Sequence, residues 1–448
     1  MSPSSNAVQP LKVVFCTTCK GRVSHIKKTL PKNLADNPGA TFILLDYNDS
    51  GELAYHVRNA CQSEIKEGRL VYYQYRDNVP FRMAHAKNMA HRLGIMEGAD
   101  ILVNLDADNR TGEGFAEYIA ENFTRTRNDP QEIFMWSRMI KGVLKRGITG
   151  RIVVSKNAFL LAGGYDEQYA TYSPDDKDFE ARLRRLGFCA QEIDSKYLDA
   201  VYHDDNVRFK EYAHLLETSA AYETPCISPH NRVVNNGKFG CGVVYKNFDE
   251  TPITLAPVPT RIFGIGMHKT ATTSLSEALT ILGLKSGHWE HPRWARQVWS
   301  DMKNVGSSPS VEKYYALSDL PIGILFRELD VAYPGSKFIL TVRDEYEWLK
   351  SVEKHFDRNI NPYRNSWDND AFTHRLHNEI YGQRKFSYRV FVERYRKHNA
   401  EVLEYFKDRP NDLLVMNVDD KTGWTELCAF LGQPVPSMSY PRKFVTKK

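Results

Sequence analysis

Two distant segments of the chain carry side chains whose types and spacing suit the binding of phosphorylated donors. In the first, Asp106 and Asp108 flank one alanine directly after the apolar run at residues 101–105. Two carboxylates so spaced can hold a divalent cation, Mn²⁺ or Mg²⁺, which neutralises the charge that builds on a departing diphosphate. Because an Asp-X-Asp triplet also occurs in many solvated turns, its interpretation depends on the motifs that follow it.

The second segment, residues 264–274, joins glycines and a lysine to four hydroxyl side chains. A glycine-bearing turn that leads into a helix offers backbone N–H groups and the positive end of the helix dipole to an anion. Lys269 adds a point charge, and the hydroxyls come from Thr270, Thr272, Thr273 and Ser274. The segment therefore predicts a phosphate-binding loop.

The elements that position these side chains follow from the hydrophobic pattern. Strand-like runs at residues 11–15, 41–46, 70–74 and 101–105 alternate with helical patterns at residues 23–34 and 83–93. This alternation predicts an α/β domain with a mostly parallel sheet and helices on both faces. Ligands of such sheets bind at the carboxyl ends of strands, where Thr17, Asp46 and Asp106 fall.

Residues 251–260 hold three prolines and little charge, which argues against a helix or a central strand. We interpret them as a proline-rich linker between a first domain at residues 1–250 and a second at residues 261–448. Further strand-like runs at residues 261–263 and 337–342 predict that the second domain is also α/β.

The composition limits the class of protein. At 448 residues and 42% hydrophobic content, the chain is long enough for two globular domains. The net charge of +5 is too small to favour nucleic acid as a partner. Seven scattered cysteines, no signal-peptide pattern and no apolar run near the ~20 residues of a transmembrane helix predict a cytoplasmic protein, with peripheral attachment to a membrane left open.

Cys16 and Cys19 have the spacing of a zinc or redox pair. Cys226 and Cys241 are too far apart in sequence to supply a second close pair. We therefore favour neither chemistry at this position.

Motifs downstream of Asp106 suggest how the first segment functions. Residues 161–167 read LAGGYDE, and residues 175–188 read DDKDFEARLRRLGF. With the Asp106 triplet, this ordered series resembles the inverting GT-A glycosyltransferases of the family 2 type and their galactosyl and hexosaminyl relatives, over about residues 11–250. The resemblance implies a GT-A fold, which is a Rossmann-like mixed sheet, and a nucleotide-sugar donor, a UDP-sugar being favoured.

The same resemblance assigns roles to individual residues. It places the nucleotide sugar at Thr17, Arg22, Asp46, Asp49, Arg82, Lys87 and Asp106, with Arg82 and Lys87 near the diphosphate. It gives the metal ion to Asp106, Asp108 and His203. It makes Asp176 the general base, because inversion in one step needs a carboxylate on the face opposite the leaving group. The family's usual Glu-Asp pair reads Asp175 and Asp176 here.

The second segment lacks the glycines of a nucleoside-triphosphate loop, since Phe263 and His268 stand at both glycine positions of that motif. It resembles instead the 5′-phosphosulfate loop of sulfotransferases that use 3′-phosphoadenylyl sulfate (PAPS), and this resemblance extends over residues 261–448. Arg343 at a strand end and Ser351 eight residues later resemble that family's 3′-phosphate site. A P-loop-like α/β domain, PAPS as co-substrate and no metal are implied.

Residue roles in this half come from the same resemblance. The donor would contact Gly266, His268, Lys269, Thr270, Ala271, Thr272, Thr273, Ser274, Arg343 and Ser351. Lys269 would stabilise the leaving 3′,5′-diphosphate, and the base would be His288, Glu290 or Asp319. Ala271 stands where the family has glycine, a change expected to cost little if the backbone there is helical.

Together the two motif sets predict a bifunctional transferase. It would transfer a sugar to a glycan, glycolipid or glycoconjugate acceptor and sulfate a hydroxyl, most economically on the same glycan. Two alternatives stay open: only one half is catalytic and the other binds a nucleotide or glycan, or the second half is a nucleotide kinase.

Overall fold

The structure is a computed structural model that describes residues 10–48, 50–77, 79–126, 132–137, 148, 150–169, 174–201, 234–356, 370–383, 385–417 and 423–442. Two of the predicted site residues, Asp49 and His203, lie outside these described ranges. The chain divides into two compact units, residues 1–258 and residues 259–448. Each unit is α/β, so the predicted fold class is confirmed.

The first unit is built from eleven described strands and seven described helices. The strands are β1 (Val13–Cys19), β2 (Thr41–Tyr47), β3 (Leu70–Tyr75), β4 (Ile101–Asn104), β5 (Asn109–Arg110), β6 (Ile133–Trp136), β7 (Ile152–Ser155), β8 (Cys189–Glu192), β9 (Asp199–Ala200), β10 (Gly242–Lys246) and β11 (Pro252–Leu255). The helices are α1 (Val23–Asp36), α2 (Glu52–Ala60), α3 (Gln62–Lys66), α4 (Met83–Met96), α5 (Phe115–Thr126), α6 (Lys156–Leu161) and α7 (Asp175–Arg185).

Nine of these strands form one mixed sheet in the order β11-β10-β3-β2-β1-β4-β7-β6-β8. The centre, β3-β2-β1-β4, is parallel, as the sequence predicted. Outside it, β7 runs antiparallel to β4, β6 to β7, and β10 to β3. The sheet as a whole is therefore mixed, as the GT-A resemblance implied, and less parallel than the alternation of strands and helices predicted. Buried apolar residues along the central strands explain why these strands can be covered on both faces.

Helices do cover both faces of the central strands. Phe15 of β1 stacks on Phe42 of β2 at 4.6 Å between ring centroids and lies in the core beneath α1, α2 and α5. Cys16 points the other way, towards Gly94 of α4, where an added Cβ would lie 3.1 Å from its sulfur. Cys19 lies in the core beneath α1, so the two cysteines are both buried and pack on different faces of the sheet.

The structure differs from the linker prediction at Pro252–Leu255, which form β11 at the edge of the sheet. β11 runs antiparallel to β10, with Pro252 opposite Tyr245. An edge strand has one row of backbone groups without a strand partner, so it tolerates a proline that cannot donate a hydrogen bond. The proline argument excluded a central strand but not this edge strand.

The second unit is a five-stranded parallel sheet in the order β13-β14-β12-β15-β16, with helices between the strands. The strands are β12 (Ile262–Gly264), β13 (Ser286–Gly287), β14 (Ala316–Ser318), β15 (Lys337–Val342) and β16 (Leu413–Asn417). The described helices are α8 (Thr272–Ile281), α9 (Pro292–Asn304), α10 (Pro309–Glu312), α11 (Phe326–Ala332), α12 (Glu345–Phe356), α13 (Ala371–Tyr381), α14 (Tyr388–Phe406) and α15 (Gly423–Leu431). No helix in the described part of the chain has the length and apolar character needed to cross a bilayer.

Candidate active sites

The first site forms at the carboxyl ends of β1 and β4. Thr17 is buried near the end of β1, and Asp106 and Asp108 lie in the turn that follows β4. Asn104 donates from Nδ2 to Gly150 O at 2.8 Å and lies 3.3 Å from Asp106 Oδ1, so it orients this turn. Arg22, at the start of α1, places Nη1 3.6 Å from Oδ2 of the buried Asp108.

The acidic pair forms the first turn of α7 and meets the same site. Lys87 Nζ lies 2.8 Å from Asp175 Oδ2 and 2.7 Å from Asp176 Oδ1. Burial, together with the nearby Asp175 and Asp106 carboxylates, raises the pKa of Asp176 to about 7, although Lys87 opposes the shift. Asp176 keeps 26% of its side chain exposed against 7% for Asp175, so Asp176 is the member that a substrate can reach.

Gly150 lies next to the carboxylates of both Asp176 and Asp106. A Cβ at position 150 would lie 2.9 Å from Asp176 Oδ2 and 3.1 Å from Asp106 Oδ2. The predicted metal-binding carboxylate and the predicted base therefore both lie next to the same glycine, where any side chain larger than hydrogen would crowd them. Burial raises the pKa of Asp106, with Asp108 adding to the effect and Lys87 opposing it.

Other residues predicted to bind the nucleotide sugar have protein partners. Asp46, at the end of β2, is buried and accepts a short hydrogen bond from Tyr72. Arg82, at the start of α4, donates from Nη2 to Glu167 O at 2.8 Å. Lys87, which the sequence comparison placed near the diphosphate, is held by both members of the acidic pair.

Sequence reasoning missed Arg151, whose side chain is fully buried next to the Asp106 turn. Its Nη2 donates to Asn109 Oδ1 at 2.9 Å, and Nη1 donates to Tyr197 O. Burial lowers the pKa of Arg151 to about 10, opposed by Asp106 and Asp108. An arginine at the start of an apolar strand was the available signal, but only the fold shows that it lies beside two carboxylates.

The second site is built on residues 265–271, which connect β12 to α8. Gly266 allows a close approach to β15, because a Cβ there would lie 2.0 Å from Thr341 Oγ1. Lys269 and Ala271 have φ of 68° and 60°. The replacement of glycine by Ala271 was expected to cost little if the backbone there were helical, and this condition is not met. Ala271 precedes α8 in the left-handed conformation, which glycine adopts more easily.

Two loop residues predicted to contact the donor, Thr270 and His268, have side chains that contact other parts of the protein. Thr270 donates from Oγ1 to Met267 O at 2.6 Å and lies 2.7 Å from Thr341 Oγ1. The His268 ring is buried with its centroid 5.8 Å from that of Tyr381. Burial holds the pKa of His268 well below its ordinary value, so the ring is neutral. A donor would meet His268 through its backbone N–H.

The candidate bases separate into two groups. His288, next to β13, places Nε2 3.3 Å from Asp319 Oδ2, 3.0 Å from Thr272 Oγ1 and 3.3 Å from Thr273 Oγ1. Glu290 is exposed and accepts a hydrogen bond from Tyr314 at 3.1 Å. The structure therefore brings His288 and Asp319 to the start of α8 and gives Glu290 a different partner.

Asp319 lies beyond the end of β14, close enough to influence Lys269. Burial lowers the pKa of Lys269, and Arg343 adds to this while Asp319 opposes it. Asp319 Oδ1 is buried without a hydrogen-bond partner among the described residues. Lys269, His288, Asp319 and Arg343 thus meet near the carboxyl ends of β12, β14 and β15.

Arg343 directly follows β15, and Ser351 lies on α12. The Tyr395 hydroxyl accepts from Arg343 N at 2.8 Å and donates to Arg343 O at 2.9 Å, which fixes the backbone at this strand end. Trp348 of α12 stacks on Tyr395 at 4.4 Å and donates from Nε1 to His268 O at 2.9 Å. The Lys269 loop and the Arg343 strand end are therefore held by shared partners.

The described ranges contain no group of three His, Cys, Asp or Glu side chains arranged to hold a metal ion. His203, predicted as a third metal ligand, lies outside those ranges. The described chain before it ends at Val201, whose N–H donates to Asp108 O at 2.7 Å. A metal ion at the first site would rest on Asp106 and Asp108 among the described side chains.

The solved structures that match this chain resemble the fold of its N-terminal half. The mannosyltransferase PcManGT from Pyrobaculum calidifontis, solved with GDP-Man and Mn²⁺, matches with a TM-score of 0.34 and 13% identity over 47% of this chain and 67% of that chain. Residues 1–349 of S. aureus TarS match with a TM-score of 0.34 and 12% identity over 47% of this chain and 66% of that one. This chain thus spans about two thirds of each, and likenesses this weak carry no functional argument.

Two comparisons at the sequence level found similarity. The "Ava biosynthesis cluster protein M" of Aspergillus versicolor is 27% identical over 216 residues, which covers 40% of this chain and 79% of that protein. The family model described as "Sulfotransferase domain" matches residues 261–448. This match includes the Lys269 loop, the His288–Asp319 contact and the Arg343 strand end, so the chain carries a sulfotransferase domain in its second unit.

Proposed function

We propose that the second unit transfers a sulfuryl group from PAPS to a hydroxyl of an acceptor. The observation that carries this proposal is the convergence of Lys269, His288, Asp319 and Arg343 at one edge of a parallel sheet, beside the start of α8. Ligands of parallel sheets bind at that edge. The sulfotransferase domain match over the same residues supports the choice of PAPS.

Each of these side chains has a distinct task in the transfer. A bond forms between the acceptor oxygen and sulfur while the bond from sulfur to the bridging oxygen of the 5′-phosphate breaks. Lys269 stabilises the negative charge on that bridging oxygen, and Arg343 with Ser351 holds the 3′-phosphate. The acceptor proton passes to His288, whose contact with Asp319 stabilises the resulting imidazolium.

The Lys269→Ala variant tests this assignment. Removal of the charge at the leaving oxygen is expected to lower sulfate incorporation from PAPS by about a hundredfold or more. Lys303→Ala is the matched control, because Lys303 pairs with Glu328 on the protein surface. Sulfate incorporation that is equal in the parent and in Lys269→Ala would contradict the proposal, as would none in the parent.

We infer that the first unit transfers a sugar from a nucleotide-sugar donor, a uridine one being favoured, with inversion. Asp106 and Asp176 support this inference, because both carboxylates lie next to Gly150, and Asp108 lies in the same turn after β4 as Asp106. Asp176 takes the proton of the acceptor hydroxyl as the new glycosidic bond forms and the bond to the diphosphate breaks. Its raised pKa makes it a stronger base than an ordinary aspartate.

The first site fits a divalent cation by its charge. Among the described residues, four carboxylates gather there with three cationic side chains: Asp106, Asp108, Asp175 and Asp176 with Arg22, Lys87 and Arg151. Carboxylate oxygens suit Mn²⁺ and Mg²⁺. Asp106 and Asp108 would hold the ion, which supplies charge neutralisation for the departing diphosphate.

The Asp176→Asn variant tests the role of the base. It is expected to lower sugar transfer by a thousandfold or so, since amide and carboxylate have the same shape but the amide cannot accept the proton. UDP binding, measured by calorimetry in the presence of Mn²⁺, should stay within threefold of the parent. Asp249→Asn, in an exposed turn, is the matched control.

The acceptor is proposed to be a glycan, glycolipid or glycoconjugate that both units modify in turn. Two sites on one chain raise the effective concentration of the first product near the second site. If only one unit is catalytic and the other binds a ligand, one of the two variants above will leave both product yields unchanged. Incubation of the parent with both donors and a glycan panel therefore decides between the bifunctional and the single-activity proposals.

A further inference from the structure

Lys87 is at hydrogen-bond distance from both members of the acidic pair, Asp175 and Asp176. The side chain is 4% exposed, and its Nζ is 2.8 Å from Asp175 Oδ2 and 2.7 Å from Asp176 Oδ1. The same nitrogen is 5.0 Å from the centroid of the Tyr165 ring. An ammonium group has three N–H donors and no acceptor. Two are engaged by carboxylates, and the aromatic ring covers another side of the cation.

Residues of α4 next to Lys87 also contact the turn around Tyr165, which precedes α7 in the chain. Asn88 donates from Nδ2 to Tyr165 O at 2.8 Å and accepts from Tyr165 N at 2.7 Å. Gly164 lies so close that a Cβ there would be 2.4 Å from Asn88 Oδ1. Lys87 and Asn88 are therefore consecutive residues that fix, respectively, the acidic pair and the Tyr165 turn.

We propose that Lys87 is a positioning residue that holds Asp176 in the orientation for proton transfer and does not bind the donor diphosphate. This proposal rests on the proposed sugar transfer by the first unit. Lys87 ties Oδ1 of Asp176 to the buried Asp175, which leaves Oδ2 on the side of Gly150, where it would meet the acceptor. A diphosphate could reach Nζ only by displacing one of two carboxylates at hydrogen-bond distance.

The two roles for Lys87 predict different kinetics. A residue that positions the base affects the chemical step, so its loss lowers kcat and leaves donor affinity nearly unchanged. A residue that binds the diphosphate contributes to donor affinity, so its loss weakens UDP binding. The measurements are therefore kcat and KM for sugar transfer and, separately, the Kd of UDP with Mn²⁺ by calorimetry, all on the full chain.

Lys87→Met is the first variant. We expect kcat to fall at least thirtyfold while the Kd of UDP and the donor KM stay within threefold of the parent. Lys246→Met is the matched control, because Lys246 also pairs with a carboxylate, Glu97 at 2.6 Å, but lies on β10 of the same unit. Its kcat should stay within twofold of the parent.

Lys87→Met leaves two carboxylates without their cation, and the variant can fail to fold for that reason. Lys87→Met combined with Asp175→Asn removes one positive and one negative charge and avoids this problem. The combined variant should fold with a melting temperature near that of the parent, bind UDP within threefold and transfer sugar at least thirtyfold more slowly.

A test of dependence on Asp176 completes the design. If Lys87 acts through Asp176, then adding Lys87→Met to Asp176→Asn should reduce the residual rate by less than threefold, since the orientation of an absent base no longer matters. A tenfold weaker Kd for UDP in either Lys87 variant would overturn the proposal in favour of a phosphate contact. An unchanged kcat would show that Lys87 positions nothing. A parent protein that neither binds UDP nor transfers sugar would instead refute the glycosyltransferase proposal itself, and with it the role of Lys87.

Discussion

At the scale of single residues, the loop that carries Lys269 holds its backbone in an unusual conformation. Lys269 and Ala271 have φ of 68° and 60°, where a Cβ crowds the neighbouring carbonyl. Such strain is found preferentially at ligand-binding sites. Here the left-handed residues precede the start of α8, where the backbone N–H groups of the helix face the proposed phosphosulfate. Ala271 therefore bears a conformational cost that glycine would not.

Ala271→Gly is expected to raise the free energy of unfolding by about 0.5–1 kcal/mol, because relief of the left-handed strain exceeds the added freedom of the unfolded chain. Thermal and urea unfolding measure this change. Glu277→Gly, in the middle of α8, is the control and should lower stability, since glycine weakens a helix interior. A lower melting temperature for Ala271→Gly would show that the alanine is not strained.

At the scale of elements, α12 and α14 brace the two parts of the proposed PAPS site. Trp348 reaches the backbone of the Lys269 loop, and Tyr395 holds both backbone groups of Arg343. Because Trp348 and Tyr395 also stack, a shift in either helix would move both parts of the site. Rigid elements rather than loops alone thus set the distance between Lys269 and Arg343.

Tyr395→Phe is expected to weaken binding of 3′,5′-diphosphoadenosine by about tenfold. The variant leaves the Arg343 backbone without its hydroxyl partner, a loss of about 1–1.5 kcal/mol. Adenosine 5′-phosphate, which lacks the 3′-phosphate, should lose less affinity, and calorimetry measures both. Tyr405→Phe on the same helix is the control, because Tyr405 bonds Asp330 instead. Equal loss for the two nucleotides would argue against a specific role of Arg343 at the 3′-phosphate.

At the scale of the whole molecule, buried histidines and buried aspartates have opposite effects on stability in acid. In the second unit, burial lowers the pKa of both His268 and His398. In the first unit, burial raises the pKa of Asp106 and Asp176. The buried histidines stay neutral as pH falls, whereas the unfolded chain takes up protons near the ordinary histidine pKa of about 6.5. The buried aspartates have the opposite effect, because the folded state holds their protons to higher pH than the unfolded state.

The stabilising effect of the neutral histidines is therefore present above pH ~6.5 and is lost as pH falls below it. Each contributes a slope of up to about 1.4 kcal/mol per pH unit in that window. His398→Gln tests one of them, because glutamine can still donate to Ile265 O, which His398 Nε2 contacts at 2.8 Å. From pH 7.5 to 5.5, the free energy of unfolding should fall less in this variant than in the parent. Identical pH profiles would mean that His398 has the same pKa in the folded and the unfolded state.

Local sequence patterns determined which residues lie at the ends of strands and helices. The runs before Asp106, Lys269 and Arg343 predicted strands that the structure contains, and the acidic pair lies in the first turn of a helix. These features follow from propensity and periodicity within a few residues, so a sequence is sufficient to predict them. The α/β class and the two segments predicted to bind phosphorylated donors were inferred from the same local information.

Only the tertiary structure decided which of these side chains meet, and in what conformation. Lys87 pairs with Asp175 and Asp176, which lie 88 and 89 residues later in the chain. His288, which follows β13, lies next to Asp319, which follows β14. The burial of Arg151, the left-handed Ala271 and the edge strand at Pro252–Leu255 also depend on packing. The reason is physical: charge pairing, burial and backbone strain are set by neighbours distant in the chain, and local propensity does not encode those neighbours.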